Sequence, residues 1–277
     1  PHPNPLPEYR ERGQEGVAEA PVAKPSAAPW SMKHLHRLIV TSATYRQSSR
    51  VTPALLARDP ENRLLARASR FRLPAMALRD VALSAAGLLD KRVGGKPVYP
   101  YQPEGIWEPL AITKERDFTY PRSAGADLYR RSLYTFWRRT VGPANVFDGS
   151  NRQTCRVRTA TTSTPLHALT TLNDTTWAEA ARVLAERAMK SADGAEGRLT
   201  FAFRAAVGRV PKPAELAVLT KMLDRQRQVY ASDAAAAESA VKVGDAPRDK
   251  ALDVTEHAAL AAACLAVLNL DEALTRE

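Results

Sequence analysis

Residues 173–190, NDTTWAEAARVLAERAMK, decide the fold. Asn173 or Asp174 supplies an N-cap, and neither glycine nor proline interrupts the run to Lys190. The same grammar recurs on both sides. Upstream, TSTPLHALTTLND starts a helix at Pro165 with Ser163 or Thr164 as its cap. Downstream, helices are predicted at about 196–207, 213–231, 233–242 and 254–270. Gly208 stops the first, Pro213 and Asp233 mark two starts, and Gly244 follows one end. No segment alternates as a half-buried strand would. The predicted class is all-α, and the alanine-rich C-terminal half points to close helix packing.

Toward the N-terminus the pattern stays helical as far back as Trp30. Met32, Leu35, Leu38 and Ile39 fall at helical spacing. Asp59-Pro60 reads as an N-cap and first-turn proline for a helix carrying Leu64, Ala68 and Phe71 on one face. Pro74 opens another, with Leu78, Val81 and Ala85 inward and Gly87 as its stop. Residues 88–126 break this regularity: KRVGGKPVYPYQPEGIWEPL is a long loop rich in glycine and proline. Tyr99, Tyr101 and Trp107 within it argue for a packed loop. Residues 1–29 hold seven prolines and no apolar stripe, so they read as a disordered leader. PHPNPLPEYRERG within it resembles a translated genomic repeat. The helical domain is expected to span 30–277.

Of 277 residues, 44% are hydrophobic, enough for a core. The net charge of +10 is uneven: residues 1–158 hold 26 Lys and Arg against 14 Asp and Glu, and residues 159–277 hold 14 against 16. The basic excess permits an anionic partner such as an acidic glycan or a membrane surface. Nucleic acid is not favoured, because the arginines are scattered and form no block. Cys155 and Cys264 are the two cysteines, and C-x-x-C, C-x-x-C-H and H-E-x-x-H are all missing from the sequence. A zinc site, covalent haem or zincin therefore has no local support, and no cofactor is expected in this chain. Whether the two cysteines pair is left open. The longest apolar run, residues 258–268, is too short to span a bilayer, and no signal peptide is visible.

Three constellations are candidates for binding. DLYRRSLYTFWRRT, residues 127–140, is expected to be a helix. At 100° per residue, Tyr129, Leu133, Phe136 and Trp137 form a core stripe with Arg131 and Arg138 opposite. A row at i, i+4 and i+8 remains: Arg130, Tyr134 and Arg138. It would suit a carboxylate, a phosphate or a sugar ring, or serve only as solvated or inter-helix arginines. In NRQTCRVRTATTSTPL, Arg156 and Arg158 precede the helix N-terminus at Pro165, either as an anion site or as surface residues beside an ordinary cap. Tyr99, Tyr101 and Trp107 form either a platform for a sugar or proline-rich peptide, or pins for their own loop. His34, His36, His167 and His257 read as structural, and spacing supports no Ser/His/Asp arrangement. Catalytic residues cannot be assigned.

Several stretches, in order, resemble one family. They are KHLHRLIVTSATYRQSS, DPENRLLAR, RLPAMALRDVAL, GGKPVYPYQPEGIWE, DLYRRSLYTFWRRT, CRVRTATTSTPLHALTTLND and LAVLNLDEALTRE. The family is the planctomycete-specific domain of unknown function 1553, the C-terminal module of cytochrome c-associated proteins. The resemblance implies an exported, extracytoplasmic protein whose partners are upstream domains of a longer chain, with haem c carried upstream. It brings no reaction. Met76 stands where the family has an acidic residue, and the segment that would precede Trp30 is replaced by the leader. A truncated copy with uncovered apolar helix faces is therefore expected. Three functions stay open: an interaction module, a domain binding or acting on an extracellular polysaccharide, and an acidic-polymer binder using the basic N-terminal half.

Overall fold

The computed structural model describes residues 30–103, 105–106, 120–137, 147–149 and 161–276. The predicted leader lies outside them. The chain divides into two compact units, the second beginning at Ser69.

In the first unit, α1 (Met32–Thr41) starts where the Ser31 side chain accepts from the His34 amide. Helix α2 (Pro53–Arg58) starts at Thr52, whose hydroxyl accepts from the Leu55 amide. Asp59 ends this helix and does not start another, which corrects the expected helix through Leu64, Ala68 and Phe71. Its carboxylate accepts from the amides of Arg63 (2.9 Å) and Leu64 (2.7 Å). Asn62 grips both backbone polar atoms of Arg67. Asn62 and Leu65 take left-handed backbone angles, φ 55° and 53°, which no right-handed helix accommodates. An aspartate before proline can cap a helix or close a turn, and here the turn has more hydrogen bonds to offer.

The second unit is helical throughout its core. It contains α3 (Ala75–Ala86), α4 (Pro165–Asn173), α5 (Thr175–Ser191), α6 (Gly194–Val207), α7 (Pro213–Ser232), α8 (Ala234–Val241), α9 (Val254–Leu268) and α10 (Asp271–Leu274). The caps are those expected: Thr164, Asp174 and Asp233 accept from amides of the first turn, and Gly87 and Gly208 close α3 and α6 with left-handed angles. Helix α9 is the hub, packed against α5, α6, α7 and α8. Ala258, Ala259, Ala261 and Ala263 on α9, with Ala180, Ala181, Ala185 and Ala188 on α5, are buried. Small side chains on both helices let the backbones approach closely. Trp177, Leu184, Phe203, Leu223 and Leu260 fill the remaining space. Cys264 is a free thiol in this core, and burial pushes its pKa up.

One short sheet closes the unit. Strand β1 (Phe71–Arg72) pairs antiparallel with β2 (Thr275–Arg276), Phe71 opposite Arg276. The Leu73 amide continues the pairing by donating to Leu274 O at 2.9 Å. The residues entering α3 are thus stitched to those leaving α10.

Candidate functional site

Over its described residues, 127–137, the stretch expected to form a helix is not one. Residues Gly125–Tyr129 and Ser132–Tyr134 form two 3-10 turns, separated by extended backbone at Arg130 and followed by extended Thr135. Tertiary contacts take the groups a helix would have used. The buried Arg79 guanidinium, reaching from α3, donates to Leu128 O and Arg130 O, both at 2.9 Å, and to Ser132 Oγ at 3.2 Å. Next to it, the Asp80 carboxylate accepts from the Ser132 amide at 2.8 Å. The other edge is sewn to the preceding loop: Asp90 N donates to Tyr129 O, Val98 N to Tyr134 O, and Phe136 N to Val98 O. The proposed stripe dissolves accordingly. Tyr129 is buried, whereas Leu133 is 67% exposed.

Arg130 and Tyr134 do meet, but through this loop and not through helical spacing. The Arg130 guanidinium carbon lies 3.9 Å from the Tyr134 ring centroid. Arg130 itself is only 4% exposed. Its donors go to Lys96 O (3.1 Å), Arg92 O (3.3 Å) and Gly94 O, so the loop 92–96 curls around it. The curl requires left-handed angles at Gly94 and Gly95, φ 82° and 93°. Tyr134 closes the ring by accepting from the Gly94 amide at 2.8 Å. An open cavity of about 420 Å³ lies beside it, lined by Arg92, Gly94, Lys96, Asp127 and Arg130. Arg92 is already engaged there by Asp90 and Asp127.

The tyrosines of the long loop also turn inward. Tyr99 stacks on Phe136, centroids 4.8 Å apart, and meets Tyr120 edge-on. Tyr101 is buried, and its hydroxyl accepts from the Asp245 amide at 2.8 Å. Burial, then the charge of Glu179, pushes its pKa up. Trp107, Arg138, Arg156 and Arg158 lie outside the described residues.

Three polar residues that sequence reasoning passed over organise this region. Arg79 is the first. Glu179 and Arg182, three apart on α5, are both fully buried. Glu179 Oε1 accepts from the Tyr129 hydroxyl (2.8 Å) and the Ala246 amide (2.6 Å). Arg182 donates to Val243 O (3.0 Å) and Ala246 O (2.6 Å). Loop 243–246 is thereby clamped onto α5. The only sequence signal was a charged pair among alanines on an otherwise inward face. His257 is buried beside them: its Nε2 pairs with Arg182 O at 2.9 Å, and its Nδ1 accepts from Arg248 Nε at 3.2 Å. This fixes the neutral tautomer.

Elsewhere, a second cavity of about 580 Å³ has Phe203, Leu219 and Leu270 in its wall and Arg209 held between Glu215 and Glu272. At the start of α4, Asp148 accepts from the Thr162 amide and hydroxyl, and His167 stacks on Phe147 with centroids 4.0 Å apart. Among the described residues, no group of three or more His, Cys, Asp and Glu could hold a metal ion. Nor is any described helix long and apolar enough to cross a membrane.

Residues 26–223 match the family model described as "Protein of unknown function (DUF1553)". The chain belongs to this family. The match takes in described residues of both units and ends within α7, so the Arg79 and Arg130 clamps lie inside the family region, as do the Glu179 and Arg182 side chains. No curated protein and no solved structure matches the chain.

Proposed function

We propose that the chain is a non-catalytic helical interaction module of an exported, cytochrome c-associated planctomycete protein, and that it docks upstream domains of its parent polypeptide. The context follows from the family resemblance, and the observation that carries the docking is on α4. Leu166, Leu169 and Leu172 recur every three residues on its outer side, with Leu166 68% exposed and the other two also exposed. His167 and Thr171 face inward on the same helix. A three-leucine face on a capped helix is a typical protein-docking stripe. The polar residues of the loop region favour the same reading, since Arg79, Arg130 and Arg182 direct their donors at backbone carbonyls.

The test is co-expression of this chain with the upstream part of its reading frame. Copurification that is lost with Leu166→Ser/Leu169→Ser supports docking. Unchanged copurification of that variant overturns it, as does turnover of a polysaccharide by the chain alone. A second reading has one observation in its favour: the open cavity beside Arg130 is large enough for a sugar ring. Saturable oligosaccharide binding abolished by Lys96→Glu would establish it in place of the first.

A further inference from the structure

The first unit carries an independent feature. No Asp or Glu occurs between Glu19 and Asp59, while residues 30–58 contain Lys33, Arg37, Arg46, Arg50 and Arg58. Within this acid-free segment, α1 buries none of its residues. At 100° per residue, Met32, Leu35, Leu38 and Ile39 occupy one arc of about 120°. All four are exposed, Met32 at 62%. Lys33 and Arg37 project from the other side, 40° apart by the same geometry. Trp30, immediately before the cap, is 98% exposed.

We infer that α1 is a surface-binding helix for an anionic lipid bilayer. A short helix with low net hydrophobicity, an apolar arc, two cations and no acid on the other side, and a tryptophan at its end has the chemistry of interfacial binding. The leucines and Ile39 enter the headgroup–acyl boundary, and Trp30 sits at its polar edge. Lys33 and Arg37 pair with lipid phosphates. An acidic polymer would use the cations and leave the apolar arc in water. A protein groove would use the arc, with no need for a segment devoid of acids. The bilayer engages both.

The experiment uses the full chain and vesicles of phosphatidylglycerol mixed with phosphatidylcholine, with phosphatidylcholine vesicles as the control. Cosedimentation is expected with the anionic vesicles only, weakening as salt is raised. The Trp30 emission, obtained as the difference from Trp30→Phe, should shift to the blue on binding. Lys33→Gln/Arg37→Gln should weaken binding about 30-fold, from roughly a fivefold loss per cation. Leu35→Gln/Leu38→Gln should weaken it at least about tenfold while leaving heparin binding unchanged. Because α1 buries nothing, these variants should keep the wild-type circular dichroism and melting temperature.

Failure of the chain to sediment with anionic vesicles overturns the inference. So does a Leu35→Gln/Leu38→Gln variant that binds vesicles as wild type does, which would assign the segment to acidic polymers. A change in oligomeric state caused by that variant would make the arc a self-interface and overturn it equally. None of these outcomes bears on the α4 docking stripe.

Discussion

Gly244 lies directly over the carboxylate of Glu179, so close that a methyl group on its Cα would overlap the carboxyl carbon. It also holds a left-handed angle, φ 83°. Both facts demand glycine, and together they let loop 243–246 close down on α5. Gly244→Ala should therefore destabilise the second unit by about 2–4 kcal/mol, combining backbone strain with the displaced carboxylate. Urea denaturation measures it, and a loss within error would show that the loop shifts freely.

Arg79 makes the corresponding test of the signature loop. Arg79→Met keeps the volume and removes three donated hydrogen bonds to the 128–132 segment. The expected cost is about 2–4 kcal/mol, because carbonyls left buried without partners are penalised in full. Hydrogen exchange should quicken at the amides of Asp90 and Val98, which depend on that segment as acceptor. Lys in place of Arg should not rescue them, since one ammonium cannot span the acceptors that the fork reaches.

His257 predicts a pH dependence. Burial holds its pKa below the ordinary histidine value of 6.5. The unfolded chain takes up a proton near pH 6.5, and the folded chain resists it. Stability should thus be full above that pH and fall as the pH drops through 6.5 toward the lowered folded value. Comparing urea midpoints at neutral and mildly acid pH measures the slope. His257→Gln should flatten it, and an unchanged slope would assign the effect to other groups.

Arg209 sets a second, more acid window. Its fork to Glu215, together with the Lys212 amide, holds the Glu215 carboxyl down at about 2. That interaction contributes above the unfolded carboxylate value of 4.5 and is lost as pH falls from there toward about 2. Arg209→Gln should return the Glu215 titration toward its ordinary range, read by carbon-13 NMR of the carboxyl. A Glu215 that still titrates near 2 would put the effect on Lys212.

How much of this was written in the sequence depends on the range over which each signal acts. Helices α3 to α9 were legible because Asp174, Thr164, Gly87 and Gly208 act within one turn of themselves. The 127–140 segment was not. Its composition suits a helix, but Arg79 and Asp80, some fifty residues away in sequence, take the groups a helix would use. Asp59 misled for a different reason, since the same dipeptide fits a cap and a turn. The arginines hid their role through type: a surface-prone residue gives no local sign that a loop will wrap around its guanidinium. Arg130 and Tyr134 do meet, but through the loop and not through the helical spacing that suggested the row. Of the loop aromatics, Tyr99 packs on Phe136 and Tyr101 is buried.

The clasp between β1 and β2 has a mechanical meaning. In an antiparallel pair with Phe71 opposite Arg276, tension applied where the chain enters at Ser69 and leaves after Arg276 pulls on the same end of both strands. Such loading opens hydrogen bonds one after another, with no shear across the set. The second unit is closed by a zipper whose tab sits at its own two ends, and the alanine-packed helices behind it feel no load until that zipper has run.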